Sequence, residues 1–194
     1  MMNNETIEDI EVDKWEDKSF SSCRLTNISF AEAEIRQTTF TDCVFSNCRW
    51  NSATLERVQF LNCRFMYNDF LLTSFSDCKL TGSSFEESPL RAITIRDGDW
   101  SYCSLRYQDF RKQHLKGIRF ANSDWTGSDF REARLEQCDF TSAIFHQVQL
   151  QKADVRGSQF RGVDLKVLTL QDVVMDLDQV LALAESHGVR PSIT

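Results

Sequence analysis

Every position from 20 to 170, counted in steps of five, holds Phe, Leu, Trp, Ile or Val. No insertion breaks the register. All 15 Phe of the chain lie on it, as do Trp50, Trp100 and Trp125. An α-helix turns about 100° per residue, so positions five apart drift by about 140° and share no face. In a strand an odd spacing puts neighbours on opposite faces. A chain that turns a corner every five residues meets neither objection. Each centre residue then points at a common axis, and four sides close a coil of about twenty residues. Coils stack through backbone hydrogen bonds at about 4.8 Å. On this reading 18–172 forms an all-β solenoid of about 8 coils, a rod roughly 37 Å long. Phe40, Phe60, Phe65, Phe70, Phe120 and Phe140 belong to its core.

A second register supports the first. Two residues before each centre the side chain also points inward, into a smaller space. Those positions hold mostly Cys, Ala, Ser, Thr, Val and Ile, and every cysteine falls there: Cys23, Cys43, Cys48, Cys63, Cys78, Cys103 and Cys138. The repeat explains them as small buried hydrophobes rather than as disulfide or metal ligands, since no His accompanies them. Free thiols suit a reducing cytoplasm. Lys18 is the one charge in either register. Asn68, Gln108, Gln113 and Leu168 are the other exceptions. An unpaired buried amide is costly, so a local widening or a hydrogen-bonded polar pocket is expected near Gln108 and Gln113. Pro89 and Asp97-Gly98 are the turn-like punctuation of the middle, read as a corner adjustment.

The repeat unit resembles the pentapeptide repeat family: a small residue, Asp or Asn, Leu or Phe, then two variable residues. It reads SDWTG from Ser123, SDFRE from Ser128, CDFTS from Cys138, ADVRG from Ala153 and VDLKV from Val163. The resemblance implies a right-handed quadrilateral β-helix.

The ends differ from the body. Residues 1–17 carry Glu5, Glu8, Asp9, Glu11, Asp13, Glu16 and Asp17 against Lys14. They form an acidic N-terminal arm or cap, with Ile10 and Trp15 in phase with the later centres. The body is nearly neutral, although the chain has a net charge of −7. After Leu170 the period is lost. Residues 173–194 contain a helix start, Asp176-x-x-Gln179, with the pattern of a capping box, and Gly188 as its stop. Val180, Leu181, Leu183, Ala184 and His187 give that helix an apolar face to cover the last coil. The segment DLDQVLALAESHGV resembles the C-terminal helix of topoisomerase-protecting members of the family. The resemblance implies a homodimer through this helix, with Val189 beside the contact. Pro191 follows and removes a backbone donor.

Two outward features stand above the background. Leu61, Met66, Tyr67, Leu71 and Leu72 make an apolar cluster on one coil. Arg91, Arg111 and Arg131 form a column at twenty-residue spacing, with Asp109, Asp129 and Glu132 close by. The column is either a neutralised network or a site for an anion or an acidic partner. No catalytic set, phosphate-binding glycine loop, zinc spacing or apolar membrane span is visible, so neither an enzyme nor a cofactor is expected. Rigid repeat surfaces bind things. The resemblance implies protection of DNA gyrase or topoisomerase IV from a poison, in antibiotic resistance or self-immunity. The alternative is a cytoplasmic scaffold or regulatory module. Some family members are proposed to imitate DNA. A duplex 37 Å long carries about 22 negative charges, which a neutral rod does not match, and no direct nucleic-acid contact is expected.

Overall fold

The computed structural model describes residues 1–190. Within them the chain winds into a stack of coils joined by parallel pairing. Phe20 lies against Phe40 and Phe40 against Phe60 on one side, Leu25 against Phe45 on the next, and Ile35 against Leu55 on another. The centres from Phe20 to Val155 are buried, including all six phenylalanines named above, each with no exposed surface. Because the coil spacing equals the thickness of a ring stack, the aromatics fall into columns. Phe40 and Phe60 stack at 5.0 Å and 6°, and Phe45 and Phe65 at 4.9 Å and 13°. Neighbouring sides meet edge to face, as Phe40 does with Phe45 at 74°. Both geometries suit the aromatic quadrupole.

Corners are made two residues after each centre, where φ is positive: 53° at Asp42, 54° at Asn47 and 53° at Asn62. Left-handed backbone is costly for most L-residues, and Asn and Asp tolerate it best after Gly. Many sides close as β-turns, with the centre carbonyl accepting from the amide three residues on, as Ala53 donates to Trp50 at 2.9 Å. The others are three-residue strands such as Thr39–Thr41.

The small inward register has a job beyond fitting. Its backbone N–H points into the core, where water cannot reach it. The side chain twenty residues on accepts it: Cys63 N donates to Ser83 Oγ at 3.1 Å, and Cys138 N to Ser158 Oγ at 3.0 Å. The same hydroxyl donates to a carbonyl of the preceding coil, Ser83 to Phe60 at 3.1 Å and Ser158 to Leu135 at 2.7 Å. Cysteine thiols take the donor half of this role, as Cys63 does toward Phe40 O at 3.4 Å. All seven cysteines are free and buried. Burial pushes the thiols of Cys48, Cys78 and Cys138 up to about 11. Cys43 departs from this trend, because a hydrogen bond from Cys63 draws it down while burial holds the Cys63 proton in place.

The stack extends past 18–172 at both ends. Residues 1–17 are wound onto it rather than projecting as an arm. Met2 pairs with Phe20, Ile7 with Leu25 and Glu11 with Ser29. The first coil is two residues short, so Val12 takes the centre that Ile10 was expected to hold. Val12 is buried and Ile10 is 40% exposed. Trp15 does stay in phase, opposite Ile35. At the other end the ladder runs on to Val174, which bridges Asp154, and Met175 packs against the core as a further centre. The helix Leu177–Ser186 follows, with the expected capping box between Asp176 and Gln179. Gln179 also ties the helix to the last coils, its Nε2 donating to the carbonyls of Val155 and Ser158 at 2.7 Å each. Leu181, Leu183 and Ala184 are half-buried, whereas Leu177, Val180 and Val189 are exposed. The end is therefore only partly covered. Pro191 lies outside the described residues.

Candidate interaction cleft

The backbone ladder has its longest break midway along the chain. Ser84 still bridges Ser104, and Asp99 bridges Arg119. Between those bridges, along Glu87–Asp97 and the facing Tyr107–Gly117, no backbone hydrogen bond joins the two coils among the described residues. The solenoid thus has a seam along two of its four sides. The core behind it stays shut, since Ile93, Ile95 and Leu115 are buried.

Gln108 and Gln113 account for the seam. Pro89 breaks a bond on the opposite side of the same coil: its counterparts donate backward, Asp69 N to Cys48 O at 3.0 Å and Asp129 N to Gln108 O at 3.0 Å, and proline has no N–H to give Asn68 O. In the small inward register Gln108 stands where Ser128 stands one coil later, and its side chain is too long to lie flat. It bridges the gap instead, Oε1 accepting from Leu90 N at 2.8 Å. In closed coils that amide reaches a backbone carbonyl, as Phe110 N reaches Asp129 O at 2.8 Å. Gln113, the second glutamine of the inward register, is half-buried on the next side of the same gap. The widening expected near Gln108 and Gln113 is present. Asn68 needs no widening, because its amide donates to Phe45 O at 2.9 Å and accepts from Cys48 N at 3.1 Å. The ladder resumes after Gly98, at φ 128°, where any side chain would strike the Cys78 carbonyl.

The seam opens into a surface cleft of about 970 Å³. Tyr67 and Tyr107, 62% and 71% exposed, stand at its mouth on either side of Glu87. The Tyr107 ring lies on the bare backbone of Gly127, and the Arg106 guanidinium sits 5.6 Å from the ring centroid.

Arginines of the cleft differ in how they are partnered. Arg111 is clamped by Asp109, with Nε and Nη2 at 2.9 and 2.6 Å from its carboxylate. That hydrogen bond holds Asp109 below the ordinary carboxylate range. Arg131 is clamped by Asp129 in the same way, and Arg156 by Asp154. The repeating unit is Asp-x-Arg. At Arg91 the unit reads Pro89-Leu90-Arg91, so the residue that removes the ladder donor also removes the neutralising carboxylate. Among the described residues Arg91 makes no ion pair. The column is a neutralised network at Arg111 and Arg131 and a free cation at Arg91.

The structure gathers the two predicted features only in part. Met66 and Tyr67 of the apolar cluster line the cleft together with Arg91 and Arg111. Leu61, Leu71 and Leu72 sit on other corners of their coil and do not line it. Arg131 lines a smaller hollow with Lys112 and Glu132. Tyr107 was not singled out from the sequence, although an aromatic on an outward corner was the available signal. No group of three or more His, Cys, Asp and Glu side chains among the described residues is arranged to hold a metal. No helix among them is long and apolar enough to cross a membrane.

Fold and cleft together define a β-solenoid whose features are those of a binding surface. A family model described as a pentapeptide repeat region matches residues 13–91 and 93–170, and the chain belongs to that family. The two matches meet at the seam. Among solved structures the chain is similar to a trypsin-treated variant of QnrB1, a plasmid-mediated fluoroquinolone resistance protein, at 18% identity and a TM-score of 0.73, covering 98% of this chain and 100% of that one. It is also similar to HetL, a pentapeptide repeat protein involved in heterocyst differentiation regulation from the cyanobacterium Nostoc sp. strain PCC 7120. That likeness is 14% identical with a TM-score of 0.67, over 89% of this chain and 87% of HetL. At these identities the likeness is one of fold. No curated protein matches the chain.

Proposed function

We propose that this chain is a non-enzymatic, cytoplasmic binding protein that protects a type II topoisomerase, DNA gyrase before topoisomerase IV, from a poison. The observation that carries the reading is the end-to-end correspondence with QnrB1, which leaves no part of that chain unmatched. The helix after the last coil agrees with it, because the family resemblance of that segment is to topoisomerase-protecting members. Local polarity agrees less well with duplex imitation. The Asp-x-Arg clamps neutralise the rod's own charges, so the contact rests on the cleft and on the acidic first coil rather than on a continuous negative stripe. A second reading, a regulatory module without a topoisomerase role, is favoured by the same self-neutralised surface and by the likeness to HetL.

The deciding experiment is gyrase supercoiling and DNA cleavage with the purified protein, with and without a cleavage-stabilising fluoroquinolone. Restored supercoiling and reduced cleavage at near-stoichiometric protein are expected. Unchanged cleavage with the fluoroquinolone and with a proteinaceous gyrase poison would leave the regulatory reading.

A further inference from the structure

We propose that the seam is a docking site for an extended segment of a partner protein, one that runs from a basic residue to an acidic one with apolar side chains between. The inference does not depend on the partner being a topoisomerase.

Three independent features point to a polypeptide. The first is the pair of open strand edges. From Glu87 to Asp97 the backbone amides and carbonyls that face the next coil have no partner there among the described residues except Leu90 N and Ser88 O, both held by the Gln108 side-chain amide. An open edge is a template for another main chain, which supplies donors and acceptors at the right repeat. A small anion would satisfy Arg91 but would leave the edge unpaired. The second feature is charge. Arg91 lacks the carboxylate that its counterparts Arg111 and Arg131 hold. Glu87, on the same edge at the preceding corner, also makes no ion pair among the described residues, whereas its neighbour Glu86 is held by Arg64 at 3.1 Å. Free charges of opposite sign along the edge give the segment a direction: its carboxylate meets Arg91 and its cation meets Glu87. The third feature is the pair of exposed tyrosines. Tyr and Arg lead the residues that dominate protein contacts, and Tyr67 and Tyr107 flank the edge where the segment's apolar side chains would lie.

The cause of the opening also supplies the control. In a combined variant, Gln108→Ser restores the small inward side chain at the seam, and Pro89→Asp adds the carboxylate for Arg91 together with an N–H toward Asn68 O of the preceding coil. This variant should close the seam and melt higher than the wild type.

The test is selection of short segments from a random display library on the full chain, followed by hydrogen exchange of the complex. Selected segments should combine an acidic residue, a basic residue and apolar residues, and should slow exchange at Glu87, Ala92 and Asp109. Arg91→Glu, Tyr107→Ala and the closed-seam variant should each weaken them about tenfold or more, equal to about 1.4 kcal/mol. Circular dichroism shows whether each variant is folded, and the higher melting point of the closed-seam variant excludes unfolding as the cause of lost binding. Segments that bind the closed-seam variant equally well, protection elsewhere on the rod, or no enrichment at all would overturn the proposal. So would faster exchange at Ala92 and Asp109 after deletion of residues 191–194, which would make this chain's own tail the occupant. Gyrase protection enters none of these readouts, so this proposal and the functional one fail separately.

Discussion

Phe65→Ala measures how far the rod depends on its aromatic columns. Phe65 has no exposed surface. It is stacked between Phe45 and Phe85, each at 4.9 Å, and meets Phe60 and Phe70 edge to face at 5.2 and 5.3 Å. Truncating a buried Phe to Ala costs about 3–5 kcal/mol, the larger values arising where the site cannot collapse. Collapse is blocked here, because the coils above and below are held apart by their own ladder at the strand spacing. The expected loss is therefore about 4–5 kcal/mol. Phe160 is the internal comparison. It stacks on Phe140 alone, at 5.3 Å, and is only partly buried at the open end. Phe160→Ala should cost about 1–2 kcal/mol, in line with the lower share of area removed from water. The assay is urea unfolding followed by circular dichroism, with the slope m compared between variants. An unchanged m with a lowered midpoint reports stability alone. A loss below about 1 kcal/mol for Phe65→Ala, or one equal to that of Phe160→Ala, would refute the column as the source of stability.

Gln179→Ala removes half of the capping box and both bonds to the last coils. It should free the terminal helix, with faster hydrogen exchange across 177–186 and a loss of about 1–2 kcal/mol. Asp154→Asn breaks the clamp on Arg156. The Arg156 hydrogen bond lowers the Asp154 carboxyl in the folded state, so its contribution is present above the ordinary Asp value of about 3.9 and fades as pH falls through the folded one. With Arg156 exposed to solvent the difference should be small at pH 7 and vanish in strong acid, as thermal melts carried well below the ordinary Asp value would register. Leu177→Asp with Val180→Asp alters the two helix residues most open to a second copy. A dimer through this helix should become a monomer in sedimentation, and a persisting dimer would move the contact elsewhere.

The body of the fold was legible because a solenoid has only one inside. Each five-residue unit meets the same axis, so the core of 18–172 could be read from position alone. The ends were less legible, and for one reason. The first coil closes two residues early, which shifts the phase from Ile10 to Val12, and periodicity assumes a constant phase. At the other end Val173 and Met175 carry both registers, but the helix signal that starts at Asp176 masks them. The seam was half legible. Gln108 and Gln113 announced a widening, since long amides do not fit where serine fits. Its consequence for Arg91 needed the comparison of Pro89-Leu90-Arg91 with Asp109-Phe110-Arg111, and it needed the clamp geometry to show what that aspartate does. The bridging role of Ser83 and Ser158 was not legible, because composition shows a small residue and not the orphan amide it satisfies.

The clamps also constrain where recognition takes place on this rod. An Asp-x-Arg unit satisfies its own charges inside one turn, as at Asp109–Arg111, Asp129–Arg131 and Asp154–Arg156. Exposed pairs of this kind contribute little to stability. They also leave little potential at a distance, since opposite charges in contact cancel beyond a Debye length of about 8–10 Å. Such a surface neither steers a basic partner nor attracts a nucleic acid along its length. Departures from the unit are therefore where a partner can be told from solvent. One is the first coil, whose acids Glu5, Glu8, Asp9 and Glu11 have no basic residue in the same turn to clamp them. Another is the seam, where a proline stands in place of the clamping aspartate and an arginine, an open edge and two tyrosines share one cleft. In the proposed docking the first coil, with long-range charge and no shape, would set how fast a basic partner arrives, and the seam, with shape and little net charge, how long it stays.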